Sequence, residues 1–193
     1  MKLKSEKLYS LEQYSRIRPE FRARVMEHKE SRRVSLGANA TLHFEDSLTM
    51  QYQVQEMLRL ERIFEEEGIQ QELDVYNPLI PDGSNWKATF MIEYEDEAER
   101  RKALSRLAGI EKTVWVQAEG CEKVYAIANE DVDRETEGKT SAVHFLRFEL
   151  TPEMISSIKQ GVAILAGIDH PAQHARVVLQ QRVRDSLAGD LVD

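Results

Sequence analysis

The sequence contains little cysteine and no long apolar run. Cys121 is the single cysteine among 193 residues, so the chain cannot form an intrachain disulfide, a zinc finger or an iron–sulfur cluster from its own thiolates. The apolar run over residues 161–168 is too short to span a bilayer. The basic residues at the start are not followed by the apolar segment of a secretory signal. These absences predict a soluble protein of the reducing cytoplasm, with Cys121 as an incidental surface thiol.

The familiar motifs of catalysis and nucleotide binding are also missing. The sequence has no Gly-x-x-x-x-Gly-Lys phosphate loop, no Gly-x-Gly-x-x-Gly, no Gly-x-Ser-x-Gly elbow and no His-Glu-x-x-His zinc motif. It lacks the paired Glu-x-x-His motifs of a ferritin-like di-iron bundle. The residues alone therefore leave open whether the protein is an enzyme.

Charge is distributed unevenly along the chain. The net charge is −8, but residues 1–35 hold ten Lys and Arg against five Glu, a balance of +5, so the remainder carries −13. Glutamates are interleaved with the bases, and no aromatic stacking platform accompanies them, which argues against nucleic-acid binding. We expect the basic arm to dock on its own acidic body or on a protein partner.

Hydrophobic periodicity predicts one α+β domain with a mainly antiparallel sheet built from hairpins, interspersed helices and a helical N-terminal arm. The arm spans residues 1–35, contains two helices separated at Pro19, and is expected to pack on the domain of residues 36–193. The other predicted elements are hairpins at 33–37 with 41–46, 113–118 with 123–128 and 162–168 with 175–179, strands at 87–94 and 141–150, helices at 48–67, 96–107 and 182–191, and a charged loop at 129–140.

The predicted helix at 48–67 carries carboxylates among apolar residues. Helical spacing puts Glu61 inside one apolar stripe and Glu56 inside a second, while Gln55 and Arg59 fall in a polar wedge. A buried carboxylate pairs with a cation, binds a metal or takes up a proton. A salt bridge to an arginine, Arg147 or Arg24, is the favoured interpretation, and a metal-ligand or acid–base role for Glu61 is the alternative.

The histidines suggest a second candidate site. His170 and His174 lie with Asp169 in one predicted loop, and two imidazoles with a carboxylate form part of a site for iron, zinc or manganese. His144 shares an apolar strand face, where a lone histidine is usually a hydrogen-bonded core residue. A metal site would combine these residues with Glu61.

A small-molecule pocket is a third hypothesis. Its predicted walls come from the long helix and from the turn-rich segment after residue 75, and comprise Tyr52, Gln55, Glu56, Arg59, Tyr76 and Asn77.

Several segments together resemble a known family. They are residues 14–22, 44–46, 52–59, 61–64, 76–83, 141–148 and 167–171. In this order they resemble the bacterial family called domain of unknown function 3501, over nearly the whole chain. Genes of that family often lie beside rubrerythrin-like proteins and iron–sulfur oxidoreductases, so the resemblance implies a non-catalytic accessory or binding protein with such a redox partner. Any cluster would then belong to the partner. The alternative is a small metal-binding protein or metal-dependent enzyme, and homo-oligomers stay open.

Overall fold

A computed structural model describes residues 2–128, 130 and 140–192. Within them the chain forms six α-helices, α1 (Leu11–Glu30), α2 (Ser47–Glu61), α3 (Glu66–Tyr76), α4 (Glu97–Arg106), α5 (Pro152–Lys159) and α6 (Gln181–Ala188). Its strands are β1 (Arg33–Ser35), β2 (Ala40–Phe44), β3 (Asn85–Ile92), β4 (Val114–Ala118), β5 (Val124–Tyr125), β6 (Ile127–Ala128), β7 (Val143–Glu149), β8 (Ile164–His170) and β9 (Gln173–Val178). The charged loop predicted at 129–140 lies outside the described residues, apart from Glu130 and Thr140.

The strands form two antiparallel sheets. The five-stranded sheet has the order β1-β2-β3-β7-β6, and the four-stranded sheet has the order β5-β4-β8-β9. All three predicted hairpins are present, as β1 with β2, β4 with β5, and β8 with β9. The prediction of a single α+β domain with antiparallel hairpins is confirmed.

The two sheets are joined by one segment of extended chain. The sequence predicts a single strand at 123–128, but β5 pairs with β4 of one sheet whereas β6 pairs with β7 of the other. Ala126 lies between them, is nearly buried, and its N–H donates to the Val114 carbonyl at 2.8 Å. The chain therefore passes from sheet to sheet without a loop and covers one side of the core.

One core fills the space between the inner faces of the two sheets. Alternate residues of each strand point into it, as period-two patterning requires. The helices α5 and α6 contribute Met154, Ile158, Val183 and Leu187 to the same core. Trp86, fully buried, donates its Nε1–H to the Leu187 carbonyl at 3.0 Å and so binds β3 to α6.

The N-terminal arm forms one helix rather than the two predicted. A capping box begins the helix, since the Ser10 hydroxyl accepts from Gln13 N–H and the Gln13 side chain accepts from Ser10 N–H. The helix then continues through Pro19. Proline removes the donor for the carbonyl four residues earlier, but Ser15 and Pro19 are both exposed, so water can solvate that carbonyl.

The helix α1 packs along α2 through Tyr14, Phe21 and Val25, against Leu48 and Tyr52. Across the described residues, no helix combines the length and apolar character that a bilayer crossing requires.

The long helix predicted at 48–67 ends at Glu61. Arg62 adopts the left-handed conformation with φ 55°, and the N–H groups of Arg62 and Ile63 both donate to the Leu58 carbonyl, which closes the helix end. Gly68 lets Ile63 fold back on α3, because a Cβ there would lie 2.7 Å from Ile63 Cγ2. Glu61 is therefore exposed at the end of α2, and its predicted position in an apolar stripe is wrong.

A buried arginine connects the arm to both ends of the domain. The Arg32 side chain is 2% exposed, and its Nε and Nη2 donate to the carbonyls of Phe44 and Glu45 at 3.0 and 3.1 Å. Its guanidinium also pairs with Asp190, beyond α6, and lies 3.5 Å from Asp46 at the start of α2. Arg32 thus holds together the end of α1, the β2–α2 junction and the C-terminal segment.

Arg32→Gln should destabilise the fold by about 3–5 kcal/mol, because it leaves two largely buried carboxylates without their cation. Urea unfolding followed by tryptophan fluorescence measures this change. Arg22→Gln, at an exposed position of α1, is the control and should stay within about 0.5 kcal/mol. A loss below about 1 kcal/mol in Arg32→Gln would contradict the structural role of this contact.

Candidate functional site

A pocket of about 560 Å³ lies between the outer face of the five-stranded sheet and the segment that follows α3. One side of it is apolar, formed by Val75, Pro78, Leu79 and Phe145. The other side is charged, with Lys87, Arg147, Glu130 and Asp74. Ligand pockets in proteins have this size and this combination of apolar walls with a few polar groups.

Two cations lie side by side on the floor of the pocket. Lys87 of β3 and Arg147 of β7 are directly opposite in the antiparallel pair, where like charges destabilise a sheet. Lys87 Nζ donates to the Pro78 carbonyl at 2.5 Å. Burial lowers the pKa of Lys87, and the charge of Arg147 lowers it further. The carboxylates of Asp82, Glu130 and Glu149 act on this pKa in the opposite direction.

A carboxylate of the chain itself already occupies Arg147. The guanidinium donates through Nε and Nη2 to both oxygens of Glu130, at 2.8 and 2.9 Å, and through Nη1 to Glu149. The hydrogen bonds from Arg147 hold the pKa of Glu130 below its usual range. The Glu130 side chain is 51% exposed, so the pair borders solvent. Arg147 therefore presents a two-point site for a carboxylate or phosphate oxygen pair.

Sequence reasoning did not select Lys87 or Phe145 and considered Arg147 only as a salt-bridge partner. One feature of the sequence indicates this site: strand β7 has apolar residues on both faces, which is typical of a strand with protein packed on both sides of the sheet. A second is a lysine inside the apolar strand β3, which is the neighbour of β7.

The pocket predicted from sequence is occupied by the N-terminal segment of the chain. Gln55, predicted to lie in a polar wedge, is fully buried, and its amide bonds the N–H and carbonyl of Tyr9 at 2.6 and 3.2 Å. Asn77 bonds the N–H and carbonyl of Leu3 at 2.7 and 3.0 Å in the same way. These amides anchor residues 3–9 against α2 and α3.

The remaining residues of that prediction are distributed among helix contacts. Tyr52 packs against Phe21, with ring centroids 6.2 Å apart, and Tyr76 joins the apolar cluster between α2 and α3. Arg59 lies 3.6 Å from Glu56. None of the six predicted residues lines the pocket on the sheet. The lining residues Val75 and Pro78 are the sequence neighbours of Tyr76 and Asn77.

Glu56 forms the expected salt bridge to an arginine, but its partner is Arg18 and not one of the arginines predicted from sequence. Arg18 of α1 donates to both Glu56 oxygens at 2.8 and 2.9 Å, and the Tyr14 hydroxyl donates at 2.7 Å. The hydrogen bond from Arg18 holds the pKa of Glu56 at about 2. Burial and the Glu56 carboxylate raise the pKa of Tyr14. This network fastens α1 to α2.

The candidate metal ligands lie in separate surroundings. The predicted loop at 169–174 consists of the ends of β8 and β9 with a two-residue turn, and Asp169 faces His174 across the strands. Asp169 accepts from Lys123 Nζ and the Tyr125 hydroxyl, both at 2.7 Å, and the bond from Lys123 holds its pKa at about 2. His174 is exposed.

The other two candidate histidine ligands, His170 and His144, are hydrogen-bonded core residues. His170 is 8% exposed, its Nε2 lies 3.1 Å from the Ala108 carbonyl, and its Nδ1 accepts from Ala172 N–H at 3.2 Å. His144 is fully buried, with Nε2 2.9 Å from Thr140 Oγ1. Glu61 is exposed on α2. Over the described part of the chain, no three His, Cys, Asp or Glu side chains converge as metal ligands would.

Cys121 lies at the β4–β5 turn, as expected, and is half-buried, with Sγ 3.7 Å from Ser157 Oγ.

Glu56→Gln should lower the free energy of unfolding by about 1.5–3 kcal/mol at pH 7, because charged hydrogen bonds to Arg18 are lost. The pKa of Glu56 is lower in the folded chain than its ordinary value of 4.5, so the contribution of Glu56 to stability is complete above that value and declines as the pH falls toward 2. The difference from the wild type should therefore be smaller at pH 3 than at pH 7 in urea unfolding. Glu12→Gln, at an exposed pair on α1, is the control; equal losses for both variants would contradict the prediction.

Comparison with known proteins places the chain in a family. A family model described as a protein of unknown function, DUF3501, matches residues 2–191. A crystal structure of a protein of unknown function from Burkholderia pseudomallei K96243 is 50% identical, with a TM-score of 0.95 and coverage of 100% of both chains. No curated protein matches the chain. The resemblance of the sequence segments is thus confirmed, and the chain belongs to the DUF3501 family.

Proposed function

We propose that this protein binds a small organic anion in the pocket between Phe145 and the segment after α3. The single observation that carries the proposal is the pairing of Lys87 with Arg147 in a pocket that also has an apolar wall. Such a pair weakens the sheet, and an anion bound between the two cations would offset the repulsion. A carboxylate or a similar oxyanion suits the planar guanidinium of Arg147.

The apolar wall defines the rest of the ligand. Val75 is 62% exposed, and it lies with Leu79 and Phe145 around the same space. A ring or short alkyl chain placed against these residues would remove apolar surface from water, at about 25 cal/mol per Å². The ligand class is therefore an aromatic or aliphatic acid with its charged group at one end.

Glu130 would compete with the ligand for Arg147. Its carboxylate makes the two hydrogen bonds that a ligand carboxylate would make, and it reaches Arg147 from a half-exposed position. Binding in the pocket is thus an exchange of one carboxylate for another. Removal of the internal carboxylate should strengthen binding, which distinguishes this site from a merely structural ion pair.

A role as a non-catalytic accessory of an iron–sulfur or rubrerythrin-like protein stays a prediction from the family resemblance. Binding of a small anion is compatible with it and does not depend on it.

Two matched probes test the anion site, 1-naphthoate and the neutral 1-naphthamide, by isothermal titration calorimetry. Naphthoate should bind at least about tenfold more tightly, equivalent to about 1.4 kcal/mol, because only the carboxylate engages Arg147. Arg147→Gln should remove this preference, and Glu130→Gln should increase naphthoate affinity. Arg101→Gln, exposed on α4, is the control and should bind as the wild type does. Equal affinity for both probes, or an unaltered Arg147→Gln, would refute the proposal.

The affinity for naphthoate should depend on pH through Lys87. The pKa of Lys87 is lowered from 10.5, so its ammonium loses its proton at a lower pH than that of an exposed lysine. Affinity should be constant near neutral pH and decline as the pH rises through this lowered pKa, while Arg147 stays charged. Lys87→Gln should bind more weakly at pH 7 and lack the decline, with Lys102→Gln on α4 as control. A decline that persists in Lys87→Gln would assign the titration to another group.

A further inference from the structure

The outermost strands of the two sheets face each other across a groove. Strand β1 ends the five-stranded sheet, and β9 ends the four-stranded sheet. Residues 33–35 of the first edge and 177–179 of the second line a groove of about 450 Å³. This groove lies away from the anion pocket and shares none of its lining residues.

Both edges present backbone groups to the groove. Phe44 N–H donates to the Arg32 carbonyl and Leu36 N–H to the Ala40 carbonyl, so the alternating backbone groups of Arg33 and Ser35 point away from β2. In β9, Leu179 N–H donates to the Ile164 carbonyl, so the backbone groups of residues 174, 176 and 178 point away from β8. Among described residues, none of these outward groups bonds to another strand.

The edges lack the two residue types that most directly block pairing. Neither β1 nor β9 contains proline or lysine, the residues that commonly block an edge strand. At one end of the groove the Gln173 amide reaches the Leu36 carbonyl at 3.5 Å. A side chain, rather than a main-chain bond, bridges the edges there. Further along, the gap between the backbones is open.

The side chains around the gap divide into an apolar floor and a charged rim. Val34 and Val183 are 7% and 3% exposed on the floor, beside half-buried Val177. On the rim, Arg182 lies 3.9 Å from Glu30, whereas Arg33 forms no ion pair with any described residue. Arg176, next to Val177 on β9, is exposed and likewise has no ion pair within the described part of the chain. A strand inserted here would point alternate side chains at these two environments.

We propose that this groove binds an extended segment of a partner protein by strand addition to β1 and β9. Alternate apolar side chains of the segment contact the valines, and acidic side chains between them pair with Arg33 and Arg176. The main-chain groups of the edges supply the affinity, and the alternation supplies the specificity. The acidic character of the occupant follows from Arg33 and Arg176, which form no ion pair within the described part of a chain whose net charge is −8.

The test uses the full chain, ¹⁵N-labelled, and two acetylated hexapeptides, one of alternating valine and glutamate and one of alternating valine and lysine. The glutamate peptide should shift the amide resonances of residues 33–35 and 174–178 and slow their hydrogen exchange. The lysine peptide should bind at least about tenfold more weakly, equivalent to about 1.4 kcal/mol. Shifts confined to other surfaces, or equal binding of both peptides, would overturn the proposal.

Val178→Pro tests the backbone contribution. The Val178 N–H points away from β8, so proline removes an outward donor and leaves the bonds of the β8–β9 ladder in place. This variant should bind the glutamate peptide at least about tenfold more weakly, whereas Val178→Ala should bind within about threefold of the wild type. Wild-type affinity in a folded Val178→Pro would contradict strand addition.

Arg33→Glu keeps the test decisive if the proline variant does not fold. It should reverse the preference toward the lysine peptide, whereas Arg22→Glu on α1 should not. Sedimentation of the unliganded chain tests the other possible occupant of the groove, a second copy of this chain. A dimer that forms through the same edge residues, and that the edge variants abolish, would assign the groove to a second copy of this chain and overturn the assignment to a partner segment.

Discussion

The buried guanidinium of Arg32 is the contact on which the arrangement of this fold depends. It is 2% exposed and bonds two main-chain carbonyls of the β2–α2 junction together with Asp190 near the C-terminus. Burial raises the pKa of Asp190, whereas the charge of Arg32 lowers that of Asp46, so the cation is what keeps two carboxylates at one buried place. A charge removed from water needs such partners, and here they come from two distant parts of the chain, the β2–α2 junction and the C-terminal segment.

The same principle explains the uneven charge of the chain. The basic arm contacts carboxylates of the acidic body at specific positions: Arg18 contacts Glu56, His28 contacts Asp46, and Arg32 contacts Asp190. Other cations lie at the two candidate sites. Lys87 and Arg147 face each other in a pocket, where Arg147 also pairs with Glu130 and Glu149. Arg33 lines a groove, and Arg176 is exposed on the neighbouring edge strand. Both places combine basic groups with apolar surface, which is the usual chemistry of recognition sites.

Much of the fold could be predicted because it is encoded locally. The capping box at Ser10, the cap at Thr151 and the hairpin turns involve residues a few positions apart, so short patterns identify them. Local encoding is not always visible as periodicity. The end of α2 depends on Arg62 in a left-handed conformation and on Ile63 folded against Gly68, and the hydrophobic pattern carries no sign of either.

The sequence by itself determined the α+β class, the hairpins, the family and the need of Glu56 for a cation. The tertiary structure alone decided which cation that is, that Gln55 is buried against the N-terminal segment, and that Lys87 and Arg147 are neighbours. Local sequence patterns indicate which apolar side chains require burial and which charged side chains require a partner. The partner is chosen by strand register and helix packing, which depend on residues tens of positions apart and are therefore visible only in the folded chain.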